Sequence, residues 1–119
     1  MIDYLQKFRL DGKTAFVIGG VGLIGREVTT AFASAGANTV IPDLEEEKGK
    51  ALVKELDEAG YPAHLRSFDC GDMEHLETNF SSLLYEFGPP DVYINCSYPR
   101  TNDWGKSSFN EVLSPTAIL

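Results

Sequence analysis

The segment Gly19-Gly20-Val21-Gly22-Leu23-Ile24-Gly25 limits this chain more than any other, with Gly19, Gly22 and Gly25 spaced G-x-x-G-x-x-G. Lys13-Thr14-Ala15-Phe16-Val17-Ile18, just before it, reads as a buried strand. After it, Leu23, Ile24, Val28, Ala31, Phe32 and Ala35 recur at helical spacing, and Gly36 supplies the stop. A strand that runs straight into a glycine turn and then a helix leaves the first helical N–H groups without intrahelical acceptors. They carry a partial positive charge, which suits phosphate. The three glycines then serve three physical needs, namely a tight turn, close approach of backbone to a pyrophosphate, and close packing of helix on strand.

The same alternation continues. Asn38-Thr39-Val40-Ile41 reads as a second strand ending at Pro42-Asp43. Glu45 to Ala59 reads as an amphipathic helix with Ala51, Leu52, Val53, Leu56 and Ala59 inward, closed by Gly60. Ala63 to Phe68 is a third strand, and Asp72 to Phe87 a third helix with acids in its first turn, ended by Gly88-Pro89-Pro90. Asp91-Val92-Tyr93-Ile94-Asn95 is a fourth strand. Strands separated by helix-length crossovers predict an α/β fold with a parallel sheet wrapped by helices, and right-handed crossovers set its hand. Residues 1–95 form one unit on this reading, and 96–119 a loop and short helical tail. Within the tail, Ser97 to Lys106 reads as loop and Ser108-Phe109-Asn110-Glu111 as a capping box. Thr116-Ala117-Ile118-Leu119 is an apolar end.

Asp43 lies 18 residues beyond Gly25, at the end of the second strand. That is the place of the acid that takes the adenosine ribose hydroxyls of a dinucleotide. Its carboxylate would repel a 2'-phosphate, and Leu44 rather than a cation follows it, so NAD is expected over NADP. Asp43-Leu44-Glu45-Glu46 also fits a helix N-cap, and the two roles are compatible.

A formal net charge of -8 with dispersed Lys and Arg argues against nucleic acid as a partner. It is silent on a dinucleotide, whose phosphates backbone N–H groups can hold. No apolar run approaches the ~18 residues of a membrane span. Met1-Ile2-Asp3-Tyr4-Leu5-Gln6-Lys7 has no apolar h-region, so no secretory signal is expected. Cys70 and Cys96 are the two cysteines and suggest a reducing, cytoplasmic setting. With His64 and His75 they match no metal-ligand spacing, and no metal site is expected.

At these residues the sequence resembles the short-chain dehydrogenase/reductase family, from about Leu10 to Asn95. Phe8 to Val17 looks like the family's lead-in to its first strand, and the glycine loop is similar to its phosphate-binding motif, with Ile18 where threonine is usual. The resemblance implies a Rossmann-like doubly wound sheet, here truncated to about four strands in the order 3-2-1-4. It implies cofactor contacts at Gly19, Gly22, Leu23, Ile24, Gly25, Asp43 and Leu44. Phe68-Asp69-Cys70 resembles the step after strand three, which implies that Asp69 and the Cys70 backbone contact adenine. Asn95-Cys96-Ser97-Tyr98 stands where the family has Asn-Asn-Ala-Gly, so Asn95 and Ser97 complete the set.

The family's catalytic tyrosine stands four residues before a lysine. Here Tyr4, Tyr61, Tyr85, Tyr93 and Tyr98 are followed at that distance by Phe8, Leu65, Pro89, Ser97 and Asn102. No catalytic residue is therefore assigned. An apolar fourth strand left on an edge invites pairing, so a homo-oligomer or a partner chain is expected at Asp91–Asn95. Three readings stay open: an NAD-binding module, one part of a split oxidoreductase, or a non-enzymatic scaffold that self-associates.

Overall fold

The computed structural model describes residues 1–97. Of the expected tail, Cys96 and Ser97 fall within them. The rest of the loop, the capping box at 108–111 and the apolar end at 116–119 lie outside the described residues.

The elements are β1 (Thr14–Ile18), α1 (Gly25–Ser34), β2 (Asn38–Asp43), α2 (Glu46–Glu58), β3 (Ala63–Ser67), α3 (Leu76–Phe87) and β4 (Val92–Asn95). A short 3-10 turn at Tyr4–Phe8, with no buried residue, precedes them. The four strands are all parallel and run β3-β2-β1-β4 across the sheet. This is the Rossmann-like α/β arrangement, in the strand order the resemblance implies.

Helices cover both faces. On one, Val21, Ala33, Ile41, Leu52, Leu56 and Ala63 form a buried cluster. On the other, Phe16, Ile18, Val40 and Phe68 pack against Leu83 of α3, with Phe16 edge-on to Phe80 and Phe87. Alternate residues of a strand point to opposite faces, so Phe16 and Ile18 face α3. Asp91 sets the register of β4: its N–H donates to the Thr14 carbonyl and its carboxylate accepts the Thr14 N–H at 2.9 Å.

Several helix details differ from the sequence expectation. The buried face of α1 is Gly25, Thr29 and Ala33, whereas Leu23, Ile24 and Ala31 are exposed and Val28, Phe32 and Ala35 half-buried. The buried stripe repeats every four residues and is made of small side chains, which let the helix lie close on the strands. In α2, Ala51 and Ala59 are exposed and Gly49 joins Leu52 and Leu56 inward, with its backbone against the Leu65 side chain. α3 starts at Leu76 rather than Asp72, because Asp72 instead forms a turn in which its carboxylate accepts the His75 N–H. The N-cap of α2 is Glu45, so Asp43 stands two residues before it.

Candidate functional site

The carboxyl ends of β1, β2 and β4 bring together segments far apart in sequence. β1 leaves the sheet at Gly19, which turns with φ +72°, a conformation open to glycine at little cost. The paired register of β1 and β2 ends at Phe16–Val40, and Pro42 has no N–H with which to extend it. The Pro42 carbonyl accepts the Gly19 N–H at 2.9 Å instead, which ties the loop to the end of β2.

The next peptide is held just as firmly. The Thr29 hydroxyl of α1, fully buried, donates to the Gly20 carbonyl at 2.9 Å. The Val21 N–H donates to Asp43 Oδ2 at 3.1 Å, and the Glu45 N–H to Asp43 Oδ1 at 2.9 Å. Asp43 thus joins the glycine loop to the approach of α2. Among the described residues no cation pairs with it.

The glycines differ in what requires them. A Cβ on Gly20 would stand 2.6 Å from Thr29 Oγ1 and 2.8 Å from the Val17 carbonyl. One on Gly25 would collide with the Gly19 carbonyl and lie 2.9 Å from Gly20 Cα. One on Gly22 would meet only the Gly19 carbonyl at 3.4 Å, an ordinary contact, and Gly22 is exposed. The protein itself needs Gly20 and Gly25; Gly22 leaves space open on the outer side of the loop. There the amides of Leu23, Ile24 and Gly25 have no backbone acceptor among the described residues, as at any helix start. The side chains of Leu23, Ile24 and Leu44 stand 88%, 67% and 59% exposed at this end of the sheet.

Asp69 follows β3 and accepts the Gly71 N–H at 2.9 Å, so its carboxylate closes a local turn. Cys70 is half-buried and lines, with Ile18, Phe68, Phe80, Tyr93 and Asn95, a mainly apolar cavity of about 440 Å³. Cys70 and Asn95, 25 residues apart, therefore line the same cavity. Asn95 Oδ1 accepts both the N–H and the hydroxyl of Ser97. The Ser97 backbone lies against Gly19, where an added Cβ would come within 2.8 Å of its nitrogen.

The residues expected to contact the cofactor thus lie at or just beyond the carboxyl ends of the four strands, the side on which open α/β sheets bind ligands. Sequence reasoning missed Thr29 and Gly20. The one signal for Thr29 was a polar, β-branched pair, Thr29-Thr30, between the apolar Val28 and Ala31-Phe32.

A sequence profile of the family described as short chain dehydrogenase matches residues 13–103. A short chain dehydrogenase/reductase of Colletotrichum higginsianum is 36% identical over 86 residues, covering 72% of this chain and 32% of that protein. The 7alpha-hydroxysteroid dehydrogenase of Escherichia coli is 30% identical over 90 residues, covering 76% of this chain and 35% of that protein. Among solved structures, a gluconate 5-dehydrogenase of Burkholderia cenocepacia in complex with NADP and tartrate superposes with a TM-score of 0.70 at 26% identity, covering 87% of this chain and 44% of the other. The chain thus spans about a third of these two curated relatives. By its glycine loop, its strand order and this match over most of its length, the chain belongs to the short chain dehydrogenase family.

Proposed function

We propose that this chain binds NAD(H) at the carboxyl end of its sheet and supplies the cofactor-anchoring part of an oxidoreductase. The family uses NAD(P), and one observation favours NAD: the Asp43 carboxylate, tied to the glycine loop through the Val21 N–H, has no ion-pair partner among the described residues. Each carboxylate oxygen accepts one N–H and keeps a further lone pair for a ribose hydroxyl. A 2'-phosphate would meet a like charge there.

In this reading the pyrophosphate lies over Gly19, Gly22 and the amides of Leu23, Ile24 and Gly25. The ribose is held by Asp43, and adenine lies against Leu44, Asp69 and Cys70. Asn95 and Ser97 shape the floor beyond Gly19. NAD(H) supplies the hydride acceptor or donor; these residues bind and orient it, and the exposed Leu23, Ile24 and Leu44 lose water contact as they do so. None of the 119 residues forms the Tyr-x-x-x-Lys pair, so we assign them no turnover of their own. Two free cysteines fit a cytoplasmic setting.

Calorimetric titration with NAD and NADP tests the reading. Saturable NAD binding, weaker NADP binding and loss of affinity in Asp43→Ala are expected. Absence of binding to either dinucleotide overturns it and favours the scaffold.

A second reading concerns the two edges that the sheet has among the described residues, which differ. On β3, Arg66 donates to the Leu65 carbonyl at 2.8 Å, is held by Glu86 and lies over the Phe87 ring, so a charged side chain guards that edge. β4, with the sequence Val-Tyr-Ile-Asn, contains no charged residue, and its Tyr93 is 49% exposed. We propose that β4 pairs with a strand of a second copy or of a partner chain. A chain that stays strictly monomeric at high concentration by sedimentation equilibrium, and that recruits no strand from a candidate partner, overturns this.

A further inference from the structure

The geometry points to Thr29 as a positioning residue for the Asp43 carboxylate, acting through the Gly20–Val21 peptide group that the two side chains grip from opposite ends. This rests on the reading of Asp43 as the ribose-binding acid. A peptide group is one rigid plane, with its C=O and N–H pointing in opposite directions. The Thr29 hydroxyl donates to the C=O of this plane at 2.9 Å, and Asp43 accepts from its N–H at 3.1 Å. Rotation of the plane that breaks one bond misaligns the other.

Three features set Thr29 apart from an ordinary helical threonine. Its neighbour Thr30 returns its hydroxyl to the carbonyl four residues back, Arg26, at 2.7 Å. Thr29 instead directs its hydroxyl out of the helix, to a residue nine positions away. It is 0% exposed, so its effect on a ligand is relayed and not by contact. Its oxygen also occupies the place of a side chain on Gly20. The two bonds form a chain, hydroxyl to carbonyl and amide N–H to carboxylate, in which each bond polarises the next. Thr29 thereby sets which lone pairs of Asp43 remain turned toward the outer side of the loop.

The test uses the whole chain with Thr29→Val, Thr29→Ser and Thr29→Val combined with Asp43→Ala. The first readout needs no ligand: the Val21 amide in the nitrogen-15 spectrum of the free protein. Thr29→Val is expected to shift that resonance and speed its hydrogen exchange by about tenfold, while Thr29→Ser leaves both near the parent. The second readout is calorimetric affinity. Thr29→Val is expected to weaken NAD by about tenfold and NADP by less, narrowing the discrimination between them. In the Asp43→Ala background the added effect of Thr29→Val disappears. Thr29→Ala, which removes the hydroxyl without adding bulk, replaces the valine variant if that one folds poorly.

An unmoved Val21 amide, equal weakening of NAD and NADP, or a serine variant as impaired as the valine one overturns the inference. If the parent itself takes up no dinucleotide, the cofactor reading fails, and the Val21 amide alone decides the role of Thr29.

Discussion

Gly25 is the glycine whose replacement tests the packing of the loop most directly. In Gly25→Ala the new Cβ collides with the Gly19 carbonyl and lies 2.9 Å from both the Gly19 carbonyl carbon and Gly20 Cα. All three are backbone atoms, so no rotamer change relieves the contact. The loop and the start of α1 must separate by roughly 1 Å to reach an ordinary C···O distance of ~3.3 Å. Gly20 is itself held by Thr29 and Gly19 by Pro42, so the loop resists that shift. Overpacking of this kind costs about 3 kcal/mol, the upper part of the usual range, and the better helix propensity of alanine returns at most ~1 kcal/mol. The expected net loss is about 2 kcal/mol, a fall in Tm of about 8 °C for a chain of this size. Gly22→Ala is the control: its Cβ has room and its φ is not positive, so its stability stays within ~0.5 kcal/mol of the parent. Thermal and urea unfolding followed by circular dichroism compare the three chains. A Gly25→Ala protein as stable as the parent would refute the close packing of helix start on loop.

Two further outcomes follow from the ion pairs and the strand register. Hydrogen bonding to Arg66 holds the Glu86 carboxyl below its ordinary value of 4.5, so its folded-state stabilisation is present above that value and is lost as pH falls through the lowered one. Urea midpoints should therefore drop with acid below about pH 4.5, less steeply in Glu86→Gln; parallel curves would show that the Arg66 pair adds nothing. Asp11 and Glu46, lowered by Arg9 and Lys50, add slopes of the same sign in both proteins. Asp91→Ala should cost about 1 kcal/mol through the lost acceptor for the Thr14 N–H and should raise hydrogen exchange at Thr14. An unchanged Thr14 amide would mean that β4 is held in register by its ladder alone.

The sequence alone determined the order and type of the elements, and placed the glycine loop and Asp43 at the ends of the first two strands. These are properties of local pattern: a short apolar run, a glycine turn and a helical period need no knowledge of what packs against them. The acid could be recognised because one strand and one helix separate it from the loop by a nearly constant number of residues. Which face of α1 turns inward was decided by tertiary structure. Periodicity counts apolar side chains and favoured Val28, Ala31 and Phe32, while close contact with β1 and β2 selects the small residues Gly25, Thr29 and Ala33. The same holds for Gly49, chosen over Ala51 because the Leu65 side chain fills the space beneath it. Only the folded chain reveals that Thr29 and Asp43 grip one peptide group, since a hydrogen bond between residues nine or twenty-two positions apart leaves no period in the sequence. The backbone carries those bonds, and its polar groups are the same at every position of the chain that is not proline.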